Sequence, residues 1–422
     1  MESNTGKRER LIERSKQNLN DSRKWQQTNS VDTTIIIVVV LMIAFGLVML
    51  FSASMSDSII ESETGTSYLV RQLVANLIGI GCMVWLSKFN LKIFDRLAFA
   101  AVVYIIGVIL LFLTLFTRPI NGARRWLSIP VFGTFQPSEF MKVAIVYIIA
   151  CYESWLFKQR AAGRFQREAG LKGAVKDAAW DLLIPAAIVA VPVGIMSLQT
   201  HMSGIFIILI VSLATLLAAG LPWRSWLTAG VIGIALIALF ALFIFSIWDF
   251  LPEKITGRFG HVFTRIDIFT GDSNVTADEL YQSNQAYIAI GSGGWTGVGL
   301  GQGKQKNRYL PEVHNDYIFS NIVEETGFIG GLVVIVLFLI FFLVGMRIAH
   351  KSSSVYAQIV ATGISTLITL QAMLNVAVNV GAIPPTGISL PFFSYGGTSN
   401  MFFLIGIGLL LNVSKFGVRE EL

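Results

Sequence analysis

The sequence predicts an all-α polytopic membrane protein of about ten transmembrane helices, with a long fourth outer loop. Three observations lead there. Of 422 residues, 54% are hydrophobic and only 14% charged, where a soluble domain carries about 25% charge. Apolar runs long enough to cross a bilayer recur along the whole chain. Lys and Arg cluster in alternate connections, the asymmetry that orients multi-pass proteins.

Ten spans can be drawn, at 33–54, 69–87, 97–117, 137–157, 180–198, 203–220, 225–248, 318–345, 355–380 and 395–414. Residues 1–32 precede them. They are polar and carry Lys7, Arg8, Arg10, Arg14, Lys16, Arg23 and Lys24. No small-residue cleavage site follows a short apolar core, so they read as a basic disordered tail and not as a cleaved signal. The membrane domain is 33–415, and 416–422 is a short second tail. Lys88, Lys92 and Arg96 follow the second span; Lys158, Arg160, Arg164, Arg167, Lys172 and Lys176 follow the fourth. Arg224, Arg347, Lys351, Lys415 and Arg419 fall on the same side. That side is read as the cytoplasm, and an even span count puts both termini there. The net charge of +6 is thereby accounted for, with no nucleic acid partner. Cys82 and Cys151 lie in apolar runs and read as free thiols. The four histidines form no metal-ligand spacing.

The opposite face holds the informative loops. The second, 118–136, carries Arg118, Arg124 and Arg125 and no acid, against the charge rule for a short outer loop. Paired arginines can grip a diphosphate bidentately, or they can snorkel to lipid head groups. In the run Gln136 to Lys142, Pro137 suits a helix start, with Ser138 and Glu139 beside it. Glu139 and Lys142 are three apart and share a face. Lys142 lies inside a span, so it is either half of a structural ion pair or a cation facing a polar cavity.

The fourth outer loop, 249–317, contains a Gly-rich stretch from Gly291 to Gly303. It lacks the Gly-Lys-Ser/Thr ending and follows no strand, so it reads as backbone that packs closely or re-enters the membrane, and not as a nucleotide loop. Lys304, Lys306 and Arg308 follow, either to hold phosphates or to solvate the loop. The segment from Tyr309 to Gly327 then brings Glu312, Asp316, Glu324 and Glu325 to the start of an apolar span. Asn315 or Asp316 could cap that helix, or Asp316 could act as a base. Glu324, about 12 Å deeper by helical rise, and Glu325 read as partners for a cation or for backbone donors. Gln371, Asn375 and Asn379 recur every fourth residue as one polar stripe. Pro384, Pro385, Gly387 and Pro391 forbid regular helix before Ser394, and such backbone is tolerated at membrane depth only when buried in protein or lining a cavity.

Asn121 to Trp126, Gln136 to Lys142, Ile288 to Gln302, Leu310 to Phe319 and Pro385 to Gly397, in this order, resemble the SEDS family (shape, elongation, division and sporulation). The resemblance spans about 33–415. The double arginine and basic tail are closer to the division branch than to the elongation branch, with a sporulation paralogue the further alternative. The resemblance implies a SEDS-type bundle that polymerises lipid II into β-1,4 glycan strands. The reaction would run at the outer face of the bacterial cytoplasmic membrane, at the septum, and release undecaprenyl pyrophosphate. It places the essential acid on Asp316. The candidate substrate contacts are Arg124, Arg125, Gln136, Ser138, Glu139, Lys142, Lys304 and Ser394. It implies a class B penicillin-binding protein transpeptidase and divisome proteins as partners. It names no cofactor for certain; a divalent cation is the one candidate, and no dedicated metal-ligand set is apparent. Two positions depart from the family pattern: Asn315 stands where Thr is usual, and the turn Gln199 to Gly204 lacks a family acid. The rival reading is a lipid II flippase, which intramembrane charges and broken helices would suit. Against it, no inverted repeat is apparent and the acids concentrate at the outer face.

Overall fold

The computed structural model describes residues 31–62, 65–89, 91–119, 124–129, 133–199, 201–246, 277–352 and 354–415. Most of the basic tail at 1–30, part of the paired-arginine motif at 121–123 and the tail at 416–422 lie outside them. The helices, in order, are α1 Thr33–Ser62, α2 Ser67–Lys88, the short α3 Leu91–Phe94, α4 Leu97–Thr114 and α5 Pro137–Ala161. There follow α6 Gly170–Leu198, α7 Met202–Ala218, α8 Trp223–Ser246, α9 Ala277–Gly293, α10 Ile318–Lys351, α11 Val355–Asn379 and α12 Gly397–Ser414. Eight of them, α1, α2, α4, α5, α6, α10, α11 and α12, are long and apolar enough to cross a bilayer. The protein is an all-α polytopic membrane bundle.

Local chemistry sets several helix starts. Gln136 is extended and Pro137 opens α5, where a missing N–H is harmless and a fixed φ is preorganised. Ser354 caps α11 by accepting from the Ala357 N–H at 3.3 Å. The most apolar stretch of α5 is 83% buried and that of α11 67%, against 28% for α2 and 22% for α4. The first two, with α12 at 72%, therefore form the bundle's centre, and the other two face outward with apolar side chains such as Leu77 and Phe112.

The structure adds four features to the predicted spans. A two-stranded antiparallel hairpin, β1 Leu127–Ile129 and β2 Gly133–Phe135, occupies the second loop. The first helix continues to Ser62, so much of the expected first loop is helical. The sixth helix begins ten residues early by the prediction's own bounds, at Gly170, and contains a π turn at Ala179–Leu183. That turn carries Asp181, fully buried, onto Arg160 Nη1 at 2.5 Å and Ser225 Oγ at 2.5 Å. A basic connection thus becomes an internal charge cluster.

The fourth feature shapes the functional end. The Gly-rich stretch follows α9 and enters a break in α10, where Gly327 has φ 73° and ψ −173°. Val298 N–H donates to Glu324 O at 3.0 Å and Gly299 N–H to Glu325 O at 3.0 Å. In return Phe328 N–H donates to Gly294 O at 2.8 Å and Ile329 N–H to Trp295 O at 3.2 Å. The groups freed by the break are therefore satisfied by the inserted backbone, as apolar surroundings require. A Cβ at Gly327 would stand 2.4 Å from Gly297 N, and one at Gly297 would stand 2.2 Å from Glu325 O. Both positions also have φ in the left-handed region.

Gly327→Val should cost about 2 kcal/mol or more and lower the melting temperature of the detergent-purified protein. Gly291→Ala, on α9 with nothing within 4 Å of the added carbon, should leave it unchanged. Equal melting of the two variants would remove the claim that this seat is tightly packed.

Candidate active site

Asp316 stands one residue before the N-cap of α10. The cap position is Tyr317 and has no side-chain cap bond, which corrects the expectation that Asn315 or Asp316 caps this helix. The helix start is capped instead from across the bundle. Asn379 Oδ1 accepts from Ser320 N–H at 3.0 Å and from Ser320 Oγ at 2.7 Å. Asn379 Nδ2 donates to Asp316 O at 3.0 Å, and Asn375 Nδ2 donates to the same carbonyl at 2.8 Å and to Ile388 O at 2.7 Å. The polar stripe on α11 is therefore a clamp on the backbone of the acid and on the Pro-rich loop beside it.

The loop after α11 closes the other side. Ser394 is buried; its Oγ accepts from Leu390 N–H at 2.7 Å and donates to Asn315 O at 2.6 Å. The structure thus gives Ser394 a positioning place and not the ligand-facing one expected. Asp316 is half-buried. Its Oδ2 points toward Gly387, where a Cβ would come within 3.4 Å. The next residue back, Thr386, accepts at its carbonyl from Ser203 Oγ at 2.9 Å. The turn holding Ser203 is in turn tied to α4, since Gln199 Nε2 donates to Leu111 O at 2.9 Å and Thr114 Oγ1 at 2.7 Å. Arg125 Nε approaches Gln199 O at 3.5 Å. A chain of hydrogen bonds therefore ties Arg125 and the turn to the Pro-rich loop that Asp316 faces. Sequence reading gave that turn no role, because the family acid is missing there.

Arg124 is exposed and donates to Leu115 O at 2.9 Å. Deeper in the bundle, Lys142 Nζ lies 2.7 Å from Glu139 Oε1 and 2.5 Å from Gln371 Oε1, with Lys142 3% and Glu139 5% exposed. Gln371 Nε2 also reaches Ser389 O at 3.3 Å. The buried pair is thus joined through the α11 stripe to the clamp on Asp316. Gln136 and Ser138 are buried beside it, and Ser138 Oγ and Glu139 Oε2 lack hydrogen-bond partners among the described residues. Unsatisfied buried polar atoms mark a place for water or ligand.

The remaining acids of the segment bind protein. Glu324 carboxylate oxygens accept from Lys304 N–H at 2.8 Å and Gln305 N–H at 3.2 Å. Glu325 pairs with Lys306 Nζ at 2.7 Å and accepts from Ser52 Oγ at 2.7 Å and Gly301 N–H at 3.1 Å. Lys304 itself is exposed while Lys306 is buried, so of the basic run only Lys304 and Arg308 face outward. Glu312 accepts from Asn315 Nδ2 at 2.6 Å. Against the segment before α10 opens a cleft of about 420 Å3 lined by Asp57, Tyr68, Arg308, Glu312, His314, Asn315 and Tyr395, together with Leu310 and Pro311. Among the described residues no group of three or more His, Cys, Asp or Glu is arranged to hold a metal ion.

The family model described as "Cell cycle protein", covering FtsW, RodA and SpoVE, matches residues 32–418. The chain belongs to this family. It is 32% identical to a probable peptidoglycan glycosyltransferase FtsW of Hydrogenovibrio crunogenus, over 93% of this chain and 94% of that one. It is 32% identical to stage V sporulation protein E of Bacillus subtilis, over 92% and 98%. Among solved structures it resembles one reported as the structural coordination of polymerization and crosslinking by a peptidoglycan synthase complex. That likeness has a TM-score of 0.66 at 24% identity and covers 91% of this chain and 98% of that one. It also resembles the rod shape determining protein RodA of Thermus thermophilus, with a TM-score of 0.61 at 24% identity over 94% and 100%. The bundle is thus a FtsW/RodA-type fold.

In this family member, Lys306→Met alone should destabilise the protein by about 3–5 kcal/mol, because Glu325 is left buried and unpaired. Lys306→Met with Glu325→Gln should regain much of that loss. Thermal unfolding of the four proteins in detergent measures it, and additive losses would show that the two groups act separately.

Proposed function

We propose that this chain polymerises lipid II into β-1,4 glycan with Asp316 as general base. It is a membrane-embedded peptidoglycan glycosyltransferase of the FtsW/RodA/SpoVE family, the activity its FtsW-named relatives carry in their names. The observation that carries the assignment to Asp316 is the clamp that two α11 asparagines place on its backbone. Glu312 is held by Asn315, Glu324 by backbone donors and Glu325 by Lys306. Asp316 alone of this set has its backbone clamped by Asn375 and Asn379 while its carboxylate turns toward the Gly387 loop.

In the reaction, the 4-hydroxyl of the acceptor's terminal N-acetylglucosamine gives its proton to the Asp316 carboxylate. The oxygen forms a bond to the anomeric carbon of the donor. The bond from that carbon to undecaprenyl pyrophosphate breaks, and the α-linked donor becomes a β-linked product. Pyrophosphate is already a good leaving group, so no second acid is needed; what is needed is positive charge near it. Arg125, tied to the loop that Asp316 faces, and exposed Arg124 receive the diphosphate. Lys142 supports the site from within through Gln371, and Lys304 stands at its rim.

The finer placement follows from charge. All ten apolar spans cross the bilayer, including α7 with 17 residues and α8 with 24. The Lys- and Arg-rich connections and both termini are cytoplasmic, so Asp316 faces outward below the long fourth loop. The double arginine supports division at the septum over elongation. A class B penicillin-binding protein that crosslinks the strands is the partner, as the synthase complex of like fold suggests, with the divisome around it.

Asp316→Asn should reduce polymerisation of lipid II by purified protein about 10²–10⁴-fold without changing its melting profile. Glycan made at the wild-type rate would end the base assignment. Arg125→Ala should lower kcat/KM about tenfold or more, the loss of a charge-assisted contact, in the same gel-based product assay.

A further inference from the structure

The connection between α5 and α6 lies at the far end of α5 from Lys142, so the role of Asp316 does not bear on it. Length divides α6 into two parts. Its 29 residues rise about 43 Å, while the hydrocarbon core of a bilayer is about 30 Å thick. The apolar run 180–198 fills that core by itself. The first nine residues, Gly170–Ala178, therefore fall at head-group level.

Their pattern suits that level. Gly173, Ala174, Asp177 and Ala178 are buried against the protein. Leu171, Lys172, Val175 and Lys176 are exposed, Leu171 to 80%. The outward face thus carries an apolar pair and a basic pair, each four residues apart, which is the composition of a helix at a lipid interface. Trp223, 77% exposed, opens α8 beside it, and tryptophan settles at such interfaces.

The face is built and not loose. Arg224 Nη1 donates to Glu168 O at 3.0 Å and Nη2 to Gly170 O, which fastens the start of α8 to the start of α6. Gly173 packs so closely that a Cβ there would stand 2.2 Å from Glu168 O. Phe165 has a left-handed φ of 51°. It is held by its ring against Trp180 at 4.4 Å and by Arg160 Nε, which donates to its carbonyl at 3.3 Å. A strained residue persists where its surroundings over-determine it.

Charge selects what the face meets. Asp177 and Asp181 are buried and face Arg160 and Arg167. Outward, Lys172, Lys176 and Arg224 are exposed with Glu168 as the acid, and Glu168 pairs with Lys176 at 2.5 Å. Lys172 has no ion pair among the described residues. A free anion would satisfy the lysines and leave Leu171, Val175 and Trp223 in water. An anion carrying acyl chains satisfies both. We propose that this face binds anionic phospholipid head groups, with Lys172 and Lys176 at the phosphate and Leu171, Val175 and Trp223 in the acyl boundary.

The test uses purified full-length protein in phosphatidylcholine nanodiscs doped with a brominated lipid, either phosphatidylglycerol or phosphatidylcholine. Bromine quenches nearby tryptophan, and the quenching lost in Trp223→Phe belongs to Trp223. At low salt, brominated phosphatidylglycerol should half-quench Trp223 at about 25-fold lower mole fraction than brominated phosphatidylcholine. Lys172→Gln should lower that preference about fivefold, the effect of one basic group near an anionic lipid surface. Lys172→Gln with Lys176→Gln should remove most of the rest, with the melting profile unchanged. Lys7→Gln with Arg8→Gln removes the same charge from the tail and should leave the preference intact. Equal quenching by the two lipids, no quenching by either, a preference that survives the double lysine variant, or an equal loss in the tail variant each overturns the surface. Loss of the preference on adding inorganic phosphate at matched ionic strength would mark a free-anion site and overturns it as well.

Discussion

Two asparagine side chains one turn apart on α11 hold the functional end together. Asn379 satisfies the Ser320 N–H at the start of α10 and, with Asn375, the carbonyl of Asp316. A helix that begins inside an apolar bundle has orphan donors and no water to meet them. Here a neighbouring helix supplies the partner. The carboxylate faces the Pro-rich loop, whose own backbone is bound by Asn375 at Ile388 O. One stripe therefore fixes the acid, the loop it faces and, through Gln371, the Lys142–Glu139 pair.

A second constraint holds the approach to that end. The break at Gly327 exposes backbone groups that only another backbone can reach so closely, and the Gly-rich stretch supplies it. Glu324 and Glu325, just before the break, bind the loop that follows the stretch. Ser52 ties the same group to α1. Segments distant in the chain are thereby held against the first turns of α10, so the Gly-rich stretch cannot shift without disturbing buried ion pairs and hydrogen bonds.

Much of the fold was legible in hydropathy. Ten apolar runs correspond to ten helices within a few residues at most ends, because helix length and apolarity are set locally by the bilayer. The Gly-rich stretch was legible as closely packed backbone, since glycine without a Cβ is what such packing requires. Less visible were α9, whose polar first half carries no long apolar run, and the hairpin at Leu127–Phe135, whose strands of three residues each give too short an alternation. The π turn at Ala179–Leu183 had no signature apart from Asp181 in an apolar run. Lys304 looked equivalent to Lys306 in sequence, yet only Lys306 reaches the buried Glu325.

The sequence by itself determined the membrane bundle, the asymmetry of its basic connections, the family and the identity of Asp316 as the acid of interest. Those follow from composition, periodicity and motifs that are contiguous in the chain. Only the tertiary structure decided how Asp316 is held, that Ser394 positions and Lys306 pairs, and that the turn at Gln199 to Ser203 links Arg125 to the site. It also decided that His314, Asp57 and Tyr395 share one cleft. These are contacts between residues up to several hundred positions apart, made by side chains whose partners depend on which helix faces lie together. No local pattern carries that information, because each such residue is equally compatible with solvent, a lipid head group or a buried partner until the bundle closes around it.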